Sequence, residues 1–309
     1  FVNQTRTISP AEGASLVAKK LRAKPRTAFN TQELVRPKSP WTLPKSFFAK
    51  YRSDTDATIH KCFDYDWSCS TLEKMIKDPH EREAIIKFLR PKYGLIRETY
   101  KHLACLTPAG NVPSLGMNVL TDLMLKCNEF IDYKLTKLSD VDLAFIATNA
   151  SGNKFFPYRA EVINNPERQI IRYQFFEILM RLALERFTQK LKVSPSEGIK
   201  VFYEQYIQDT FAKYVSHPWR VERYWNEECD SVIKENMDTL RDVYNHWAQA
   251  NSPGEPKVMR LTRLIELVTN SGVCDDAFGA REIGPLFNLS MQTQTDEIHQ
   301  TKHMDMTFI

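Results

Sequence analysis

A segment near the middle of the chain is written twice, and that duplication constrains the fold more than any local motif. Arg97-Glu98-x-Tyr100-x-His102 returns 144 residues later as Arg241-Asp242-x-Tyr244-x-His246. At the same offset Ile96, Tyr100 and Leu103 reappear as Leu240, Tyr244 and Trp247. Leu120, Leu123, Met124 and Cys127 find counterparts in Leu261, Leu264, Ile265 and Val268, at an offset of 141. Both sets follow the i, i+3, i+4, i+7 spacing of a helix with one apolar face. Residues 93–187 therefore read as one copy, and a shorter second copy begins near Asn236.

The first copy is predicted to hold helices near 93–106, 114–130, 138–150 and 170–188, with breaks at Pro108-Ala109-Gly110 and around Ser151 to Pro166. The last of these is apolar nearly all round (Ile170, Ile171, Phe175, Phe176, Ile178, Leu179, Leu182, Leu184), so it belongs at the buried centre. Ahead of it, residues 57–90 read as two helical pieces. Phe63, Tyr65 and Trp67 form an aromatic knot before Ser70, which with Glu73 has the spacing of a capping box. Ser194-Pro195-Ser196-Glu197 starts a further helix to about Tyr214. The second copy gives helices near 236–250, 257–271 and 279–289, then the alternation Met304-x-Met306-x-Phe308. With ten glycines in 309 residues and few alternating β-branched runs, the expected class is all-α. Short β-bridges are expected near Asn111–Val112 or Arg172, and near Lys257 or Met306.

The net charge of +4 conceals a division. Residues 1–52 carry eleven Lys or Arg against Glu12 and Glu33, a net +9, which leaves −5 for the remainder. Pro10, Pro25, Pro37, Pro40 and Pro44 interrupt this stretch, and no apolar period is sustained. It reads either as a solvated tail or as an extended arm that orders on an acidic surface. In the second reading Arg22, Lys24, Arg26, Arg36 and Lys38 meet acidic groups, while Trp41, Phe47 and Phe48 anchor the arm, with Leu43 beside them. The expected organisation is a basic arm over 1–52, a first helical lobe over 53–190 and a second over 191–309.

Helix, short loop, helix, used twice in each unit, is the plan of an EF-hand pair. The segment Ile171-Arg172-Tyr173-Gln174-Phe175-Phe176-Glu177-Ile178-Leu179-Met180-Arg181 resembles the last loop and exiting helix of a calmodulin-like lobe, and Met306-Thr307-Phe308-Ile309 resembles the start of the same element, cut off. A calcium loop needs oxygen ligands at positions 1, 3 and 5, a glycine at 6 and a bidentate glutamate at 12. Leu106 to Pro113 has no acidic residue, Asn251 to Lys257 has one, and the stretch from Asn149 to Arg172 is too long and carries Lys154, Arg159, Arg168 and Arg172. No metal or cofactor is therefore expected. Paired degenerate EF-hand-like lobes with a basic arm resemble ciliary, axonemal cytoskeletal proteins. That resemblance implies a non-catalytic structural protein on microtubules, among other axonemal proteins and away from membranes. The alternative it leaves open is a calmodulin-like regulatory module that binds an amphipathic partner helix.

Signatures of phosphate loops, dinucleotide loops, zinc proteases and serine hydrolases are missing from the sequence. His299 and His303, near Asp305, lack a strong third ligand placed by sequence. The six cysteines are scattered and read as reduced thiols. Nucleic-acid binding through the arm is disfavoured, because it lacks the cation and aromatic interleaving of single-strand binders.

Overall fold

Thr55 stands in extended backbone and its hydroxyl accepts the Thr58 N–H, which opens helix α1 (Asp56–Cys69). A computed structural model describes residues 40–106, 112–155, 168–250 and 253–308. Asp78 and Pro79 start α2 (Pro79–Leu89), with the Asp78 carboxylate accepting the His80 N–H at 2.9 Å. Next come α3 (Tyr93–Leu103), strand β1 (Leu115–Gly116), α4 (Met117–Leu125) and α5 (Leu138–Phe155). Strand β2 (Gln169–Ile170) pairs antiparallel with β1, setting Leu115 opposite Ile170, and runs into α6 (Arg172–Ala183). Helix α7 (Pro195–Val201) is capped by Ser194. The second copy supplies α9 (Met237–Trp247), α10 (Leu261–Asn270) and α11 (Ala280–Ser290), preceded by α8 (Glu227–Glu235). The protein is mainly helical, and the paired strands are two residues each.

As its all-round apolar sequence requires, α6 lies at the centre: Phe175, Phe176, Ile178 and Leu179 are wholly buried. Phe176 meets Phe63 and Tyr93 edge-on, with ring centroids 5.6 Å apart in both pairs. Leu120 and Leu123 are buried in the same core, as their spacing predicts. This core also takes Ile199, Phe202, Ile207 and Phe211, so the boundary expected at 190 falls inside a continuous core. The reason is that the helix after Ser194 is apolar on the side facing α6 and α2. Thr71 stands at the N-cap position of the turn expected from Ser70, and the Ser70 hydroxyl accepts the Leu72 N–H at 3.4 Å. The same hydroxyl donates to the Trp67 carbonyl at 2.7 Å, closing the end of α1, and Leu72–Met75 is a single turn.

The duplication has a common backbone geometry. Helices α3 and α9 each span eleven residues and end alike: the N–H groups of Ala104 and Ala248 donate to the carbonyls of Tyr100 and Tyr244, both at 2.8 Å. The hydroxyls of the same tyrosines donate forward, Tyr100 to Pro113 O and Tyr244 to Lys257 O, again both at 2.8 Å. Cys105 N–H meets Ser114 O at 3.0 Å, and Gln249 N–H meets Val258 O at 2.9 Å. The offset of 144 persists into the next helix, since α4 starts at Met117 and α10 at Leu261. The offset of 141 read from the apolar pattern is therefore corrected: Leu120 corresponds to Leu264. A slip of three residues keeps apolar side chains on one helix face, so periodicity alone does not fix the register.

Burial is not duplicated. Leu261 is buried, but Tyr244, Trp247 and Leu264, which lie on the apolar faces set by the repeat, are only half-buried. The second copy's small cluster (Leu261, Phe287, Met291) closes on Cys105 of the first copy, so its core is not self-contained.

Candidate interaction surfaces

Asn226 caps α8 by accepting the Cys229 N–H at 2.9 Å, which sets Glu227, Glu228 and Asp230 at the positive end of the helix. The described part of the N-terminal segment converges on Asp230. The Trp41 indole N–H donates to its Oδ2 at 3.1 Å and the Phe47 backbone N–H to its Oδ1 at 2.7 Å. Lys234, one turn on, completes the cluster at 2.8 Å. Burial opposes the ionised carboxylate, but the hydrogen bonds from Lys234, Phe47 and Trp41 outweigh it and hold Asp230 below its ordinary range.

This segment is not extended throughout, as the arm reading expected. Leu43–Lys45 and Phe47–Lys50 form 3-10 turns, the second capped by Ser46. Phe48 is 7% exposed and lies on Tyr224 at 5.0 Å, while Tyr51 lies on Trp225 at 5.1 Å. Trp41, Phe47 and Phe48, expected to face a partner, are thus placed on the chain's own α8 region. The physical cause is a local carboxylate able to satisfy an indole and a backbone N–H together. Arg22, Lys24, Arg26, Arg36 and Lys38 lie outside the described residues.

A second cluster was not visible in sequence. Arg172, read as one of the loop cations, is 2% exposed and forms a two-pronged pair with Asp66, at 2.8 and 2.9 Å. Its remaining N–H groups reach Glu297 at 2.5 Å and the carbonyls of Gln294 and Thr295 at 2.6 and 2.7 Å. Tyr93 donates its hydroxyl to the same Asp66 carboxylate. Burial disfavours the guanidinium charge, but Asp66 and Glu297 more than offset this, so Arg172 stays ionised. The cluster clamps residues 294–297 to the central core. The available signal was a charged residue inside the apolar run Ile170-Ile171-Arg172-Tyr173, a position that demands a buried partner.

Between the N-terminal turns and α3 lies a cleft of about 460 Å³ that includes Tyr51, Asp54, Arg97, Glu98, Ser216 and Arg220. Its cations are already engaged. Arg97 pairs with Asp54 and Glu98, each at 2.5 Å, and Arg220 lies over the Tyr51 ring and donates to Ser216 Oγ at 2.5 Å. The Ser216 hydroxyl accepts from Arg220 and donates to Glu98 at 3.3 Å, bridging the two ions. Nearby, Lys101 donates to the Met291 carbonyl; burial, with Arg97 adding to it, lowers its ammonium to about 8.

Of the recurring histidines, His102 packs on Tyr214 at 5.3 Å and His246 on Trp247 at 5.9 Å. His299 pairs with Asp296 at 3.2 Å, whereas His303 is buried. Among the described residues no three His, Cys, Asp or Glu side chains gather as metal ligands. No described helix is long and apolar enough to cross a membrane. No protein family, curated protein or solved structure matches the chain. The EF-hand resemblance accordingly rests on the chain's own residues.

Proposed function

We propose that this chain is a non-catalytic interaction protein of the ciliary, axonemal cytoskeleton. In this reading it docks on the acidic surface of microtubules through its basic N-terminal stretch, and its repeated EF-hand-like helix pairs act as calcium-independent scaffolds. The observation that carries the reading is the charge division, +9 over residues 1–52 against −5 elsewhere. Such a division steers the N-terminal end, not the body, toward an anionic partner. Lys45, Lys50 and Arg52 are exposed at the root of the stretch, so the positive field begins where the chain leaves α8.

Calcium independence is supported by the way the loops close. Tyr100 and Tyr244 pin the loop carbonyls of Pro113 and Lys257 with their hydroxyls, a task that a bound ion performs in a calcium loop. In the second copy, Arg260 at the loop's end pairs with Asp305 at 3.1 Å and brings a cation where a ligand oxygen would be needed.

Co-sedimentation with microtubules over a salt series tests the proposal. The full chain should pellet, with affinity falling as salt rises, and duplex DNA should compete poorly. Pelleting that ignores both salt and removal of residues 1–39 would move the docking surface to the helices. A saturable tryptophan response to micromolar calcium would replace the scaffold reading with a sensor.

A further inference from the structure

A π-helical turn over Arg220–Tyr224, closed by the Trp225 N–H on the Arg220 carbonyl at 2.7 Å, brings residues five apart onto one face. Trp219 and Tyr224 accordingly stack, with ring centroids 5.7 Å apart and planes 21° apart. Tyr224 rests on the buried ring of Phe48, and Trp225 meets Tyr51 and His217 at 5.1 and 5.6 Å. The rings are fixed by one another, yet Trp219 is 56% exposed, Tyr51 42% and Tyr224 38%. Rigid aromatics left in water offer a partner apolar area that it can cover at low conformational cost. Charge accompanies them. Residues 43–53 and 213–226, the two segments that meet here, carry six Lys or Arg against Glu222, a net +5. Arg220 is used internally, over the Tyr51 ring and on the Leu289 carbonyl, but Lys50, Arg52 and Arg223 are exposed. The basic region ends at Glu227 and Glu228, on the first turn of α8.

We propose that this aromatic shelf seats an acidic polypeptide segment of a partner, whose carboxylates meet Lys50, Arg52 and Arg223 while an apolar side chain covers Trp219 and Tyr224. The stretch over residues 1–39, with eight Lys or Arg against Glu12 and Glu33, has the sign of the shelf and does not complement it. A nucleic acid fits less well. Trp219 and Tyr224 are stacked on each other, so they form one patch and not a row of separate platforms for successive bases. The inference rests on the filament reading for the source of the segment, and it gives that reading an anchor on the helical body. The shelf adds an apolar contact that salt does not screen to the screened attraction of residues 1–39.

The probe is a fluorescently labelled, glutamate-rich peptide with a central pair of leucines, titrated into the full chain while its anisotropy is followed. Binding should saturate and should weaken as salt rises. Trp219→Ala should weaken it at least about tenfold with unchanged circular dichroism, because that side chain is more than half exposed, whereas Trp219→Phe should keep most of it. Lys50→Glu combined with Arg223→Glu should weaken binding and reduce its salt dependence. A peptide with serines in place of the leucines should bind the parent no better than it binds Trp219→Ala. The proposal is overturned if no saturation occurs, if Trp219→Ala binds equally, or if the serine peptide binds as tightly as the leucine peptide. It is also overturned if a single-stranded oligonucleotide of equal charge binds more tightly and depends on Trp219. A dimer of the free chain that Trp219→Ala dissociates likewise overturns it, since the occupant is then a second copy. Failure of the full chain to pellet with microtubules removes the filament reading and leaves peptide binding intact, so the two fail separately.

Discussion

Removing the Arg172 guanidinium leaves Asp66 and Glu297 without their buried countercharge and frees the carbonyls of Gln294 and Thr295. Arg172→Met should therefore cost about 3–5 kcal/mol in urea unfolding, the range for breaking a buried pair from one side. Arg172→Lys should recover little, since an ammonium cannot meet both Asp66 oxygens in plane. Leu179→Ala, in the centre of α6, should cost about 2–5 kcal/mol, whereas Leu240→Ala should cost under about 1 kcal/mol, because its side chain is already partly in water. Lys101 supplies a pH signature. Its folded value of about 8 lies below the ordinary value of 10.5, so between these the unfolded chain binds more protons. Lys101 thus adds stability as pH rises from 8 to 9.5, against the loss from the buried thiols Cys69, Cys105 and Cys127, whose folded values are raised, so Lys101→Met should steepen the net fall over that window; Arg97, Glu98, Asp54 and Arg220 are the charges that face the lysine. At this scale the sequence reveals apolar residues well and paired charges badly. Leu120, Leu123, Phe175 and Leu179 announce their burial by spacing, but the partner of Arg172 lies 106 residues away and carries no periodic mark.

Helices α3, α6, α9 and α11 start within two residues of their expected positions, because the apolar period marks each of them. What was not legible is where helices change pitch. Leu184–Lys190 and Phe202–Ile207 are π-helical, and they adjoin where Gly198 lets α7 approach Phe187. A side chain on Gly198 would place its Cβ 2.6 Å from Phe187 Cβ. Close approach also governs α11. A Cβ on Gly284 would lie 2.1 Å from the Cys105 carbonyl oxygen, and Cys105 itself holds a left-handed backbone at φ 72°. Gly284→Ala should push α11 off the end of α3. The readout is the Cys105 thiol, buried and raised to about 12 by that burial, which should become reactive to a thiol reagent in the variant and stay silent in the parent. The duplicated loop closure belongs to this scale as well. Arg-x-x-Tyr-x-His at two places gave its existence, while the role of the tyrosine, a hydroxyl clasp on a carbonyl thirteen residues on, emerges only in three dimensions.

For the whole molecule, the N-terminal stretch divides into two parts with different physics. Residues 41–51 are secured by Asp230, Tyr224 and Trp225, so their contribution is internal. Residues 1–39 hold eight of the eleven cations of the stretch. Truncation should therefore stop at residue 39, since cutting further removes Trp41 and loosens α8. Each exposed ion pair contributes about 0–1 kcal/mol, so no single Lys or Arg substitution should abolish filament binding. Eight cations acting together on an acidic lattice should nevertheless dominate, and their effect should fade as the screening length shortens from about 10 Å at 0.1 M salt to about 3 Å at 1 M. Removing residues 1–39 should leave the thermal midpoint within a degree or two of the parent while eliminating most salt-sensitive co-sedimentation. Extending the cut to residue 50 should lower the midpoint as well, because Asp230 then loses the Trp41 and Phe47 donors that hold its carboxylate ionised. Equal thermal midpoints for the two truncations would mean that the turns around Ser46 lie on α8 without stabilising it.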